Sequence, residues 1–164
     1  MADKFTIGLV QMKCTKNAEE NLSRATDKIR EAAKRGAQII SLHELFRSEY
    51  FCRTEDPELF NLAEAVPGPA TEQLARVAKE CKVALVVSLF ERRAAGIYHN
   101  TCAVLDADGS FLGKYRKMHI PDDPLYYEKF TSLPAIWDFP ILTPSTRVLA
   151  CRFVGTSGIP KARG

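Results

Sequence analysis

The sequence predicts a layered α/β fold, and three observations carry that prediction. Apolar residues recur at helical spacing in two stretches, one opening after Asn17 and one at Thr71. Short β-rich apolar runs precede and separate those stretches. Two further strand-like segments flank Asp106-Ala107-Asp108-Gly109, where Asp-Gly sits at the tip of a hairpin turn. Strand, helix, strand, helix, strand, hairpin is the order of one layered domain.

Each element has its own reason. Phe5 to Val10 alternates and is rich in β-formers, so it reads as the first strand. Asn17 is placed to cap a helix, with Glu19 and Glu20 in the first turn where the helix dipole favours carboxylates. Ala18, Leu22, Ala25 and Ile29 form its apolar stripe, and Gly36 stops it. Gln38 to Leu42 is a short buried strand. Residues 47–62 read as an irregular segment carrying Tyr50, Phe51 and Phe60, and Val66-Pro67-Gly68-Pro69 as a rigid turn. Thr71 is expected to cap a second helix with Leu74, Val77, Ala78 and Cys81 on one face. Val83 to Leu89 is almost wholly apolar, the mark of a strand covered on both sides. Tyr98 to Leu105 and Phe111 to Tyr115 are the hairpin strands. Asp-x-Asp-Gly lacks the later ligands of a calcium loop, so a turn is the better reading.

A chain of 164 residues holds one domain with a sizeable core, and 46% apolar against 26% charged residues is ordinary for a globular protein. No apolar run approaches the ~20 residues of a membrane span, and the N-terminus does not read as a signal peptide. The five cysteines are odd in number and scattered, without a C-x-x-C pair. That argues against a zinc site or disulfide framework and for a reducing cytoplasm. The net charge of +3 resides wholly in the tail, where Arg147, Arg152, Lys161 and Arg163 face only Asp138. A basic excess confined to the tail gives no nucleic-acid footprint.

Three motifs carry chemistry. Leu42-His43-Glu44-Leu45-Phe46 sets a carboxylate at the end of an apolar strand. Gly113-Lys114-Tyr115-Arg116-Lys117-Met118-His119-Ile120-Pro121 sets a lysine just past another strand, where loops bear function on a rigid scaffold. Tyr126-Tyr127-Glu128-Lys129-Phe130 follows. In order and spacing these resemble the nitrilase (carbon–nitrogen hydrolase) superfamily over residues 5–130, nearest its N-carbamoylputrescine amidase branch. The resemblance implies the first part of a four-layer α-β-β-α sandwich, truncated, and an amidohydrolase with no cofactor or metal. Its substrate is expected to be a small carbamoyl-amine, N-carbamoylputrescine, giving putrescine, carbon dioxide and ammonia in polyamine biosynthesis. Ureidopropionase and aliphatic ω-amidase activities of the same superfamily are the alternatives, and a non-catalytic fragment is the reading from a different class. A cytoplasmic location, no membrane or nucleic-acid partner, and homo-oligomers of the intact family complete the expectation.

By resemblance Glu44 is the general base, Lys117 the cation that faces the oxyanion, and Glu128 the second glutamate that orients the site. The mechanism requires a cysteine thiolate, a carboxylate to take and return its proton, and a fixed positive charge for the tetrahedral intermediate. His43, His99 and His119 read as structural, since no step needs an imidazole. Cys52 belongs to a segment near the substrate pocket rather than to the catalytic position.

The domain is therefore expected to span residues 1–130, with 131–164 an irregular tail. That tail holds four of the nine prolines and the only tryptophan, Trp137. A one-base shift after the Phe130 codon lets compatible codons spell the continuation of the family, including V-C-W-D-Q-W with its nucleophilic cysteine. That cysteine falls across the codons read as Phe153 and Val154. The tail is thus expected to be a frameshifted translation, with the nucleophile absent from the chain and the chain inactive. Cys151 lies near that position but in unrelated flanking residues, and is not read as the nucleophile. Residues 83–89 and the hairpin are expected to expose apolar surface that later strands would cover.

Overall fold

A computed structural model describes residues 5–135, 141–142 and 149–150. Strand β1 (Ile7–Val10) leads to helix α1 (Ala18–Lys34), then β2 (Ile39–Leu42), a 3-10 helix (Pro57–Leu62) and helix α2 (Pro69–Cys81). Strands β3 (Ala84–Ala94), β4 (Ile97–Leu105) and β5 (Phe111–Arg116) follow, then the short helix α3 (Glu128–Thr131). β1 to β5 form one mixed sheet in sequence order. The first three strands are parallel, joined by helical crossovers, and the last two add antiparallel. β6 (Ile141–Leu142) and β7 (Leu149–Ala150) pair antiparallel as a separate two-stranded ladder.

Both long helices lie on one face of the sheet. Leu22, Ala25 and Ile29 of α1 and Leu74, Val77 and Ala78 of α2 pack against Ile40, Leu85, Val87, Leu89 and Ala103. The period of 3.6 in the helices thus meets the period of 2 in the strands. Asn17 caps α1 as its sequence suggests, its side chain accepting from the Glu19 and Glu20 amides. A second cluster, Leu45, Phe51, Cys52, Ala63 and Phe90, lies under the segment that follows β2. Phe60 extends it, stacking within 4.6 Å of Tyr98 and 5.6 Å of Phe130.

Four expectations are corrected. Thr71 does not cap α2. The helix begins at Pro69 with Gly68 as its cap residue, and the Thr71 hydroxyl reaches back to the Gly68 amide and carbonyl at 2.7 Å each. β3 continues past Leu89 to Ala94 and turns back at Gly96 (φ 72°) into β4, a hairpin not anticipated. Residues 47–62 are not wholly irregular, since Asp56 caps the 3-10 helix within them. Residues 83–89 are not left open, since all but half-buried Val86 are buried; among the described residues the exposed large apolar side chains lie at β1, where Ile7 and Leu9 are 55% and 81% exposed, and at Phe5, Leu125, Tyr126 and Leu133. Cys151 and the codon positions of Phe153 and Val154 lie outside the described residues.

Ion pairing fixes the hairpin end of the sheet. Glu91 of β3 is buried, and its carboxylate accepts from Lys114 Nζ at 2.5 Å, Arg116 Nε at 2.7 Å and Thr101 Oγ1 at 2.6 Å. Burial alone would raise this carboxyl; hydrogen bonds from Arg116, Lys114 and Thr101 outweigh it and hold the group at about 2. Lys114 also donates to the Val66 carbonyl. Because side chains alternate along a strand, anchoring Lys114 and Arg116 on one face sends the next residue, Lys117, to the other.

Candidate active site

That other face holds the three motif residues together. Glu44 leaves the end of β2 at a turn in which Leu45 adopts φ 52°, Lys117 follows β5 directly, and Glu128 opens α3. A left-handed leucine is locally strained, and such strain persists where the surroundings over-determine it. Lys117 Nζ donates to Glu44 Oε1 at 2.9 Å and to Glu128 Oε2 at 2.8 Å. The lysine and Glu128 side chains are only 4% and 5% exposed, whereas that of Glu44 is 40% exposed. So the cation and one carboxylate are withdrawn from water, and the other carboxylate faces an open cleft lined also by Met12, Cys14, Tyr50 and Arg53.

The electrostatics follow from that placement. Burial by itself would lower the Lys117 ammonium, but the hydrogen bond to Glu128 and the charge and hydrogen bond of Glu44 outweigh it and hold it above its ordinary value. Lys117 is thus a fixed cation at neutral pH, suited to stabilise an oxyanion and unsuited to act as a base. An ammonium has three donors; among the described residues two are engaged, by Glu44 and Glu128. Glu128 is oriented from its other side by Tyr50, whose hydroxyl donates to Oε1 at 3.0 Å. Burial and then the Glu128 charge push the Tyr50 phenol up, so it remains a donor. The Tyr127 amide bonds to the Cys52 carbonyl at 2.8 Å, which docks α3 onto the Tyr50–Cys52 segment.

Several partners were not legible as site residues. Asn100 Nδ2 donates to Glu44 Oε1 at 2.6 Å, and its carbonyl accepts the Lys117 amide at 2.8 Å. Ser88 stands behind it at 3.3 Å. The only signal for Asn100 was its place in the polar run His99-Asn100-Thr101 inside a strand. His43 and His99 are in structural contacts: His43 Nε2 lies 3.3 Å from Cys14 Sγ, and His99 Nδ1 lies 2.9 Å from the Leu133 carbonyl. His119 is exposed. Neither nearby thiol is activated. Burial pushes Cys52 up to about 11, and burial likewise raises Cys14. Among the described residues no group of three His, Cys, Asp or Glu side chains is arranged to hold a metal ion. No described helix is long and apolar enough to cross a membrane.

A mixed sheet backed by helices thus carries one buried lysine clamped between two glutamates beside a cleft. The sequence matches the carbon-nitrogen hydrolase family over residues 6–158, and the chain belongs to that family. Its match runs past Phe130 into the tail. An N-carbamoylputrescine amidase of Oryza sativa subsp. japonica is 43% identical over 128 residues, covering 77% of this chain and 42% of the relative. An omega-amidase of Bos taurus is 42% identical over 118 residues, covering 72% and 41%. The crystal structure of a carbon-nitrogen hydrolase from Helicobacter pylori superposes with a TM-score of 0.81 at 34% identity, over 87% of this chain and 49% of that one. The chain spans about half the length, or less, of these relatives.

Proposed function

We propose that this chain carries the base, the oxyanion cation and the orienting glutamate of an amidohydrolase acting on N-carbamoylputrescine. The observation that carries the proposal is the burial of Lys117 between Glu44 and Glu128, with Glu44 alone open to the cleft. In the proposed reaction a cysteine thiol loses its proton to Glu44, and the thiolate attacks the carbamoyl carbon. Lys117 stabilises the oxyanion that forms. Glu44 returns the proton to the leaving amine, and water clears the carbamoyl-enzyme with the same groups in the same roles. Glu128 and Tyr50 keep the lysine charged and aimed. The sum is one substrate and one water giving putrescine, carbon dioxide and ammonia, the chemistry of a cytoplasmic polyamine-forming enzyme. Such an enzyme is expected to assemble from identical subunits. An omega-amidase activity is the second reading, favoured by the comparable identity of the Bos taurus relative.

The nucleophile of this reading lies in the shifted frame. Residues 1–130 form the partial catalytic domain and residues 131–164 the frameshifted segment, so the 164-residue chain itself releases no ammonia. Incubating it with N-carbamoylputrescine tests this. Turnover near the ~10 s⁻¹ typical of enzymes, abolished by Cys151→Ala, would overturn the reading.

A further inference from the structure

Glu44 presents its two oxygens unequally. Oε1 accepts from both Asn100 Nδ2 at 2.6 Å and Lys117 Nζ at 2.9 Å. Among the described residues Oε2 has no hydrogen-bond partner, on a side chain that is 40% exposed to the cleft. The reason lies in a chain of hydrogen bonds whose direction is fixed at its start. The Leu45 amide can only donate, and it donates to Ser88 Oγ at 3.0 Å. The Ser88 hydroxyl, accepting there, is free to donate to Asn100 Oδ1 at 3.3 Å. With its oxygen so occupied, the Asn100 amide must turn its NH2 toward Glu44. Ser88 and Asn100 are 1% and 2% exposed, so water does not compete for these bonds. The left-handed turn at Leu45 closes the loop, since it aims the Leu45 amide inward while the Glu44 side chain exits to the cleft.

We propose that Ser88 and Asn100 are positioning residues that lock Glu44 Oε1 and so make Oε2 the oxygen that exchanges the proton with the nucleophile. The proposal rests on the reading of Glu44 as general base. Asn100 also binds the Lys117 amide through its own carbonyl, so one residue of β4 sets the base by its side chain and the cation by its backbone. Only the side-chain bond is removed by substitution. That separates the two roles.

The test uses the 164-residue chain with ¹³C-labelled glutamate carboxyls at pH 7, with Glu44→Gln to assign the Glu44 resonance. Asn100→Leu and Ser88→Ala are each expected to move the Glu44 carboxylate resonance and to leave that of Glu128 in place. In the parent chain one Asn100 Nδ2 proton should resonate downfield and exchange slowly; Glu44→Ala and Ser88→Ala should both abolish that signature. A structural role alone would lower stability without touching either signal. An unmoved Glu44 resonance in both variants, or an equal shift at Glu128, overturns the proposal. Should Asn100→Leu fail to fold, Ser88→Ala with the Asn100 amide signature decides alone. None of these readouts requires turnover, so a Glu44 that proves non-catalytic in the frame-restored protein would sink the proposed function and leave the locking of Glu44 Oε1 standing.

Discussion

Replacing Lys117 by Met is expected to destabilise the chain through Glu128 more than through Glu44. The two carboxylates share the lysine but not its surroundings: the Glu128 side chain is 5% exposed and that of Glu44 40%. Glu44 would recover its solvation from the cleft, so its lost pairing matters little. Glu128 would be left as a buried carboxylate whose remaining side-chain partner among the described residues is the Tyr50 hydroxyl at 3.0 Å, and breaking a buried pair in this way costs roughly 3–5 kcal/mol. With an m-value of about 2 kcal/mol/M, the urea midpoint followed by circular dichroism should fall by about 2 M. Adding Glu128→Gln removes the stranded charge, and the double variant should regain most of the loss. A single variant within about 0.3 M of the parent midpoint, or a double variant no better than the single, would refute the argument.

Glu91 governs the acid limb. Its folded-state value of about 2 lies below the ordinary 4.5, so its contribution of about 3 kcal/mol is fully present above pH 4.5 and lost as pH falls toward 2. Glu91→Gln should flatten that limb of the stability–pH curve, and an unchanged acid limb would contradict the clamp. Lys117 acts at the other end. Its ammonium is held above 10.5, so its contribution is complete below that pH and is lost as pH rises through the higher folded value; an alkaline urea series should show the loss in the parent and not in Lys117→Met. Asn17→Ala should cost about 1 kcal/mol by freeing the Glu19 and Glu20 amides, a shift readable in the same urea titration.

Sequence reading reached the parts of this protein whose causes are local. The cap, stripe and stop of α1 are all within one stretch, and β2 announces itself by Ile39 and Ile40 before Glu44. The three candidate residues were legible because their motifs resemble a known family, and the geometry brings Glu44 and Glu128 onto Lys117. What was hidden depends on register between distant strands. Glu91 lies beyond the apolar run that marks the strand, yet it is buried because two cations of β5 and Thr101 of β4 converge on it. Asn100 and Ser88 became site residues only once β3 and β4 paired with Phe90 opposite Asn100 and the Leu45 turn delivered its amide. Thr71 misled because the same hydroxyl that caps a helix from its first residue also braces Gly68 from within the helix.

The most direct test of the central claim is ammonia release from N-carbamoylputrescine after one nucleotide is inserted behind codon 130 and the reading frame is carried on. The repaired protein is expected to turn over, and Lys117→Ala in it to lose roughly 3–4 kcal/mol of transition-state stabilisation, about a hundred- to thousandfold in kcat. Glu44→Gln should be at least as damaging. A repaired protein that hydrolyses the substrate equally well with alanine at position 117 would contradict the oxyanion-stabilising role of the buried lysine.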